Sequence, residues 1–80
     1  MVELNQVLEQ LVKENPHNKV SKKTIEVVEV MNNGNPVVSI YPDEKEALFH
    51  NEYTQIALDF PDIAKLANYF LKQGYSTNLE

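Results

Sequence analysis

Apolar residues recur along the first fourteen positions with the period of an α-helix. Five of them fall at i, i+3, i+4, i+7 and i+8, the spacing of a single helical stripe: Leu4, Val7, Leu8, Leu11 and Val12. Pro16 disfavours helical geometry at the residue before it, and the segment 15–18 is rich in turn formers. We predict an amphipathic helix over about residues 3–14, followed by a loop.

The next segment, Thr24–Met31, is rich in β-branched residues and indicates a strand. In a regular strand Glu26 and Glu29 would point to opposite faces. A bulge near Val27–Val28 would reset the alternation and turn both glutamates outward. We expect that bulge, because the alternative is to bury one glutamate, and an unpaired buried charge is costly.

Asn33-Gly34 is the strongest turn signal in the chain, since both residues tolerate the positive φ angles of a type I′ turn. Val37–Tyr41 then supplies a return strand, so the two strands form an antiparallel hairpin. Residues 42–52 are ambiguous. Asp43 and Glu46 fit a helical capping box, but we favour a turn followed by a short strand over residues 47–50.

Ile56, Leu58 and Phe60 alternate with polar or small residues, which is the pattern of a strand with one buried face, here Tyr53–Phe60. Pro61 suits the first turn of a helix. The five-position apolar stripe then recurs, and Gly74 is suited to a C-terminal cap. We predict a second amphipathic helix over about residues 62–73.

These elements predict one α+β domain over residues 1–78, because a chain of 80 residues accommodates a single domain. The architecture is two-layer, α-β-β-β(-β)-α, with an antiparallel meander sheet and both helices on one face. The other face is left to solvent or to a partner. Leu79-Glu80 has the look of a vector-derived tail and is left out of the domain.

Composition narrows the classes of function. Cysteine is absent, which excludes disulfides and thiolate sites and suits a cytoplasmic protein. No apolar run is long enough to span a membrane, and the chain does not begin with a signal-peptide pattern. The net charge is −5, and all seven basic residues are lysines. Without arginine, the preferred residue for phosphate and guanine, binding to duplex nucleic acid is disfavoured.

No pattern in the chain indicates catalysis, a cofactor or a metal. His17 and His50 stand in no recognised ligand spacing. Asp43, Glu44 and Glu46 fall in an expected charged turn, which does not offer the burial that general acid–base catalysis by a carboxyl requires. No nucleophile motif surrounds Ser21, Ser39 or any threonine, and two glycines cannot build a phosphate-binding loop. We therefore expect a protein that is not an enzyme.

The remaining expectation is a small bacterial protein that acts as a protein-binding or regulatory module. It would be homodimeric, through the open sheet face or an edge strand. The alternative is a domain that binds single-stranded nucleic acid through sheet aromatics and a lysine cluster. A third hypothesis is an acidic mimic of nucleic acid, although its carboxylates are scattered among several elements. The candidate interaction residues are the aromatics Tyr41, Phe49 and Tyr53, which both of the first two hypotheses use, and the lysines Lys19, Lys22 and Lys23, which the second adds.

Overall fold

The computed structural model describes residues 4–22, 26–58 and 60–80, apart from the side chains of residues 56, 60 and 61. Within these residues, three helices and five strands follow one another. In order they are α1 (Leu4–Glu14), β1 (Asn18–Lys22), β2 (Val28–Asn32), β3 (Asn35–Tyr41), β4 (Glu46–Phe49), α2 (Asn51–Ala57), α3 (Phe60–Lys72) and β5 (Ser76–Leu79).

The two amphipathic helices predicted from the apolar stripes are confirmed as α1 and α3. Helix α1 ends at Glu14, two residues before Pro16, and the Asn15 N–H still donates to the Leu11 carbonyl at 3.0 Å. Helix α3 is followed by Gly74, whose φ of 85° is the positive value expected of a C-terminal cap.

The predicted hairpin is also confirmed. Asn33 and Gly34 have φ angles of 51° and 81°, and they join β2 to β3 with Asn32 opposite Asn35. Two positive φ angles in a two-residue loop define a type I′ turn, whose twist matches that of the flanking strands.

The five strands lie in the order β1-β2-β3-β4-β5. The first four form an antiparallel meander, and β5 pairs in parallel with β4. Parallel neighbours need a long crossover, and the chain between β4 and β5 supplies one through α2 and α3. The fold is the α+β, two-layer arrangement expected from the sequence, with one parallel strand added.

Helices α1 and α3 both cover the same face of the sheet. Their buried residues Leu8, Leu11, Leu66 and Phe70 join one core with the strand residues that alternate onto that face: Val30, Val38, Ile40, Ala47 and Phe49. At the centre, the Phe70 ring stands edge-on to Phe49, with centroids 6.5 Å apart and planes at 81°.

The strand predicted over Tyr53–Phe60 is wrong. Residues 51–57 form α2, in which Thr54 and Ala57 are buried, and Leu58, the extended residue that caps the helix, is buried as well. The spacing of Thr54 and Ala57, i and i+3, is that of one helical face, so the apolar alternation was the weaker of two overlapping periodicities. The ambiguity over residues 42–52 resolves into a turn, the short strand β4, and then the start of α2 directly after His50.

Two further strands, β1 and β5, lie outside the expected set. Both are edge strands composed largely of polar residues, with the exposed patterns typical of edges. The strand expected over Thr24–Met31 is β2, which begins at Val28, and residues 23–25 lie outside the described residues.

The bulge expected near Val27–Val28 lies further along, where the register between β2 and β3 shifts between Val30 and Met31. Regular alternation up to Val30 places Glu29 on the sheet face opposite the helices, where its neighbours nevertheless leave it only 9% exposed. The burial of one glutamate, the costlier alternative from the sequence, is therefore what the fold adopts.

Candidate functional site: the open sheet face

The sheet face turned away from α1 and α3 is built from residues that alternate with the core positions. We call it the open face. The cross-strand pairs Glu29–Ser39 and Ser39–Leu48 form its central row. Among the described residues it includes Glu29, Met31, Ser39, Tyr41, Leu48 and His50, with Lys19 and Glu46 near its corners.

A chain of polar contacts crosses this face from strand to strand. The Ser39 hydroxyl oxygen lies 3.2 Å from Oε2 of Glu29, to which it donates, and 2.8 Å from Nε2 of His50. On the far side of the imidazole, Nδ1 lies 3.6 Å from Oε2 of Glu80. The contacts therefore link β2, β3, the end of β4 and the end of β5.

The number of available hydrogens determines which group donates in each of these polar contacts. A serine hydroxyl has one hydrogen, so if it is donated to the Glu29 carboxylate, Ser39 can only accept from the imidazole. Nε2 of His50 must then carry a hydrogen. The arrangement gives Oε2 of the buried carboxylate a hydrogen bond, which lowers the cost of holding Glu29 largely away from water.

The order acid, imidazole, serine hydroxyl is also that of a nucleophilic triad, but the surroundings do not suit acyl transfer. Ser39 is 3% exposed and lies mid-strand between two hydrogen-bonded neighbours. Backbone N–H groups there are engaged in the sheet ladder, whereas an oxyanion hole needs free donors. Its hydroxyl hydrogen is also directed to Glu29 rather than to a base. We interpret these contacts as structural, because they join neighbouring strands of the sheet.

Metal binding has no comparable basis. Among the described residues, no three histidine, aspartate or glutamate side chains converge closely enough to hold an ion.

Around the polar chain, the open face is apolar and half-buried. Met31, Tyr41 and Leu48 each show intermediate exposure, and neither α1 nor α3 covers them. Two charged residues flank this patch, Lys19 on β1 and Glu46 on β4. Lys19 pairs with Met31 near one end of the strands, and Glu46 pairs with Tyr41 at the other end.

The interaction residues expected from the sequence are divided by the fold. Tyr41 and the exposed Lys19 lie on the open face. Phe49 is 3% exposed in the core and is not accessible to a partner. Tyr53 lies on α2, packed against the core. Lys22 is exposed at the sheet edge, on the side of the helices.

Lys23, the remaining member of that set, lies outside the described residues. The residues that sequence reasoning missed are Glu29, Ser39 and His50. A polar residue between Val38 and Ile40 signals the outward face of a strand, so Ser39 could have been placed there. The contacts between the three could not, because they depend on the register of three strands.

Comparison of the chain with protein-family models, with curated proteins and with solved structures finds no match. Within the described part of the chain, no helix has the length and apolar character needed to cross a membrane. The open face and the remaining surface are therefore interpreted from their own chemistry.

Proposed function

We propose that this chain is a small protein-binding module that acts as a homodimer, with the open face as the interface between the two copies. The observation that carries the proposal is the composition of that face. Half-buried Met31, Tyr41 and Leu48 surround a centre whose polar groups, Glu29 and Ser39, are already hydrogen-bonded to each other. Part of the hydrogen-bonding capacity of this centre is therefore filled within the chain, which lowers the cost of covering it.

The two flanking charges favour a second copy as the partner. Lys19 and Glu46 lie near diagonally opposite corners of the open face, at opposite ends of the strands and on opposite sides of β3. A two-fold axis in the plane of the interface, along the other diagonal, brings Lys19 of each copy towards Glu46 of its partner. The strands of the two sheets then cross at a large angle, as in orthogonal sheet packing.

The size of the face predicts a weak dimer. Five strands about 4.8 Å apart, each about five residues of 3.3 Å, cover roughly 400 Å² in projection. Stable protein complexes bury about 800 Å² on each partner. We therefore expect an association that depends on protein concentration.

Binding of single-stranded nucleic acid is less well supported by the same surface. The aromatic platform on the open face consists of Tyr41, and the carboxylates of Glu29 and Glu46 share the face with Lys19. The net charge of −5 also repels a polyanion. We place the proposed module in the cytoplasm, since a chain without cysteine suits a reducing compartment.

Sedimentation velocity over a concentration series tests the proposal. The expected result is a monomer at about 10 µM and a substantial dimer fraction at about 1 mM, as for a weak complex. Leu48→Lys on the open face should abolish the dimer. Leu71→Lys is the matched control, because Leu71 is 54% exposed on α3, away from the open face. A strict monomer at the highest concentration contradicts the proposal.

A further inference from the structure

Helices α1 and α3 leave a groove between them on the side of the molecule opposite the open face. Its volume is about 410 Å³, within the usual range of ligand sites. The apolar residues along it are Val7 and Leu11 from α1 and Leu66 and Tyr69 from α3. This surface is independent of the one proposed for dimerisation.

The groove has one acidic end. The side-chain amide of Asn15, directly after α1, donates to the carbonyl of Ala57 at the end of α2, three residues before α3 begins. That contact brings the last turn of α1 near the first turn of α3. Glu14 and Asp62, which occupy those turns, therefore lie at the same end of the groove that they line.

Glu14 is also placed where a negative charge is least favourable, in the last turn of a helix, where the backbone dipole is negative. Its side chain accepts a hydrogen bond from Gln10 at 3.1 Å. The described residues that line the groove carry one basic group, Lys65 on α3, and two carboxylates, so the lining has a net negative charge. An incoming cation at the Glu14 end would be attracted by both carboxylates, whereas the dipoles at the end of α1 and at the start of α3 oppose each other there.

We propose that this groove binds an amphipathic helix of another protein, with apolar side chains along the groove and a lysine or arginine at its acidic end. The α1 wall runs from Gln6 to Glu14, eight helical steps of about 1.5 Å each, or about 12 Å. That length takes two turns of a helix, with three apolar side chains at i, i+4 and i+7.

A second copy of this chain does not fit the groove. Its amphipathic helices have their apolar stripes in its own core. The large apolar side chains that are exposed among the described residues are Val20, Leu71 and Leu79, on three different elements. They form no continuous helical ridge that could lie in the groove.

The test uses a synthetic helical peptide of about four turns, with leucines at i, i+4 and i+7, alanine and glutamine elsewhere, and a lysine at each end. A companion peptide carries glutamate in place of both lysines. In amide chemical-shift titrations of the full chain, the lysine peptide should shift Val7, Leu11 and Leu66. It should bind about three- to tenfold more tightly than the companion, as expected for partly exposed ion pairs.

Two sets of variants sharpen the test. Glu14→Gln combined with Asp62→Asn should abolish the difference between the peptides. Gln10→Trp should fill the groove and prevent binding, whereas Gln55→Trp, at an exposed position on α2, should leave binding unchanged.

Three results of the peptide titrations would overturn the inference. They are the absence of shifts at about 1 mM peptide, where even a weak complex is populated; equal affinity for both peptides; and shifts confined to the open face. A change in the monomer–dimer equilibrium on Gln10→Trp would instead assign the groove to a second copy and also overturn it. Failure of the dimer proposal alone leaves the peptide results unaffected, so the two proposals can fail separately.

Discussion

Oγ of Ser39 lies 2.8 Å from Nε2 of His50, and this contact joins the centre of β3 to the end of β4 on the open face. Together with the Ser39–Glu29 hydrogen bond, it satisfies a glutamate that is almost fully removed from water. The open face thus has a hydrogen-bonded polar centre surrounded by apolar side chains. An interface that covers this face would bury polar groups that already have partners within the chain.

Removing the serine hydroxyl should destabilise the fold. Ser39→Ala leaves the buried Glu29 carboxylate without the hydrogen bond it accepts, at a cost of about 1–3 kcal/mol. Urea denaturation measures the loss. Ser21→Ala is the matched control, because Ser21 lies opposite Glu29 in the register but is exposed, and it should change stability by less than about 0.5 kcal/mol. Equal effects of the two changes would contradict the structural role of the polar chain.

The aromatic cluster around Phe70 should dominate the stability of the core. Phe70 is fully buried, and its ring lies 5.4 Å from that of Tyr69 and 5.0 Å from that of Tyr75. Phe70→Ala should cost about 3–5 kcal/mol, a large fraction of what an 80-residue chain has available. Leu71→Ala, one position along the helix, should cost far less. Thermal unfolding followed by circular dichroism compares the two, and similar midpoints would show that the core lies elsewhere.

Residues 79–80 should contribute to stability. Leu79 belongs to β5, the Glu80 N–H donates to the Phe49 carbonyl at 2.9 Å, and the Asn51 N–H donates to the Glu80 carbonyl at 2.8 Å. Deleting both residues should cost about 1–3 kcal/mol, at about 1 kcal/mol for each hydrogen bond, and should speed hydrogen exchange at the Asn51 amide. Glu80→Gln keeps the backbone and serves as the control. Unchanged exchange at Asn51 would mean that the two residues add nothing.

Alkaline pH should weaken the fold through Tyr75. Partial burial, with a smaller contribution from Tyr69, raises the pKa of Tyr75 above its ordinary value of 10.0. The unfolded chain therefore ionises first, so this contribution is complete below pH 10.0 and is lost as the pH rises through the raised pKa. Tyr75→Phe should make the fall in unfolding free energy above that pH less steep. Urea denaturation at several alkaline pH values measures the slope, and an unchanged slope would refute the assignment.

The sequence predicts the parts of the fold that local patterns determine. The stripe on α1, the stripe on α3 and the Asn33-Gly34 turn each depend on spacing within one segment, and each is confirmed. The prediction for residues 51–57 was wrong because Thr54 and Ala57 have the spacing of a helical face beneath an apparent strand alternation.

Features that depend on distant segments were not predictable. Strand β5 is short, polar and parallel to β4, and its position results from the crossover through α2 and α3. The burial of Glu29 depends on where the register shifts and on Ser39 ten residues away. In the candidate site, Tyr41 and Lys19 were identifiable from residue type. The sequence did not show that Phe49 faces the core rather than the open face, because aromatic residues are favoured on both faces of a strand.

The proposed open-face dimer is tested most directly by exchanging the two charges that flank the interface. Lys19→Glu alone should place like charges opposite each other in both copies and weaken the dimer about tenfold or more, as should Glu46→Lys alone. The double variant, Lys19→Glu with Glu46→Lys, restores opposite charges and should return the dissociation constant to within about threefold of the original. Sedimentation equilibrium of the four proteins measures these constants. Recovery in the double variant is the result we predict, and a double variant at least as weak as either single one would contradict the arrangement.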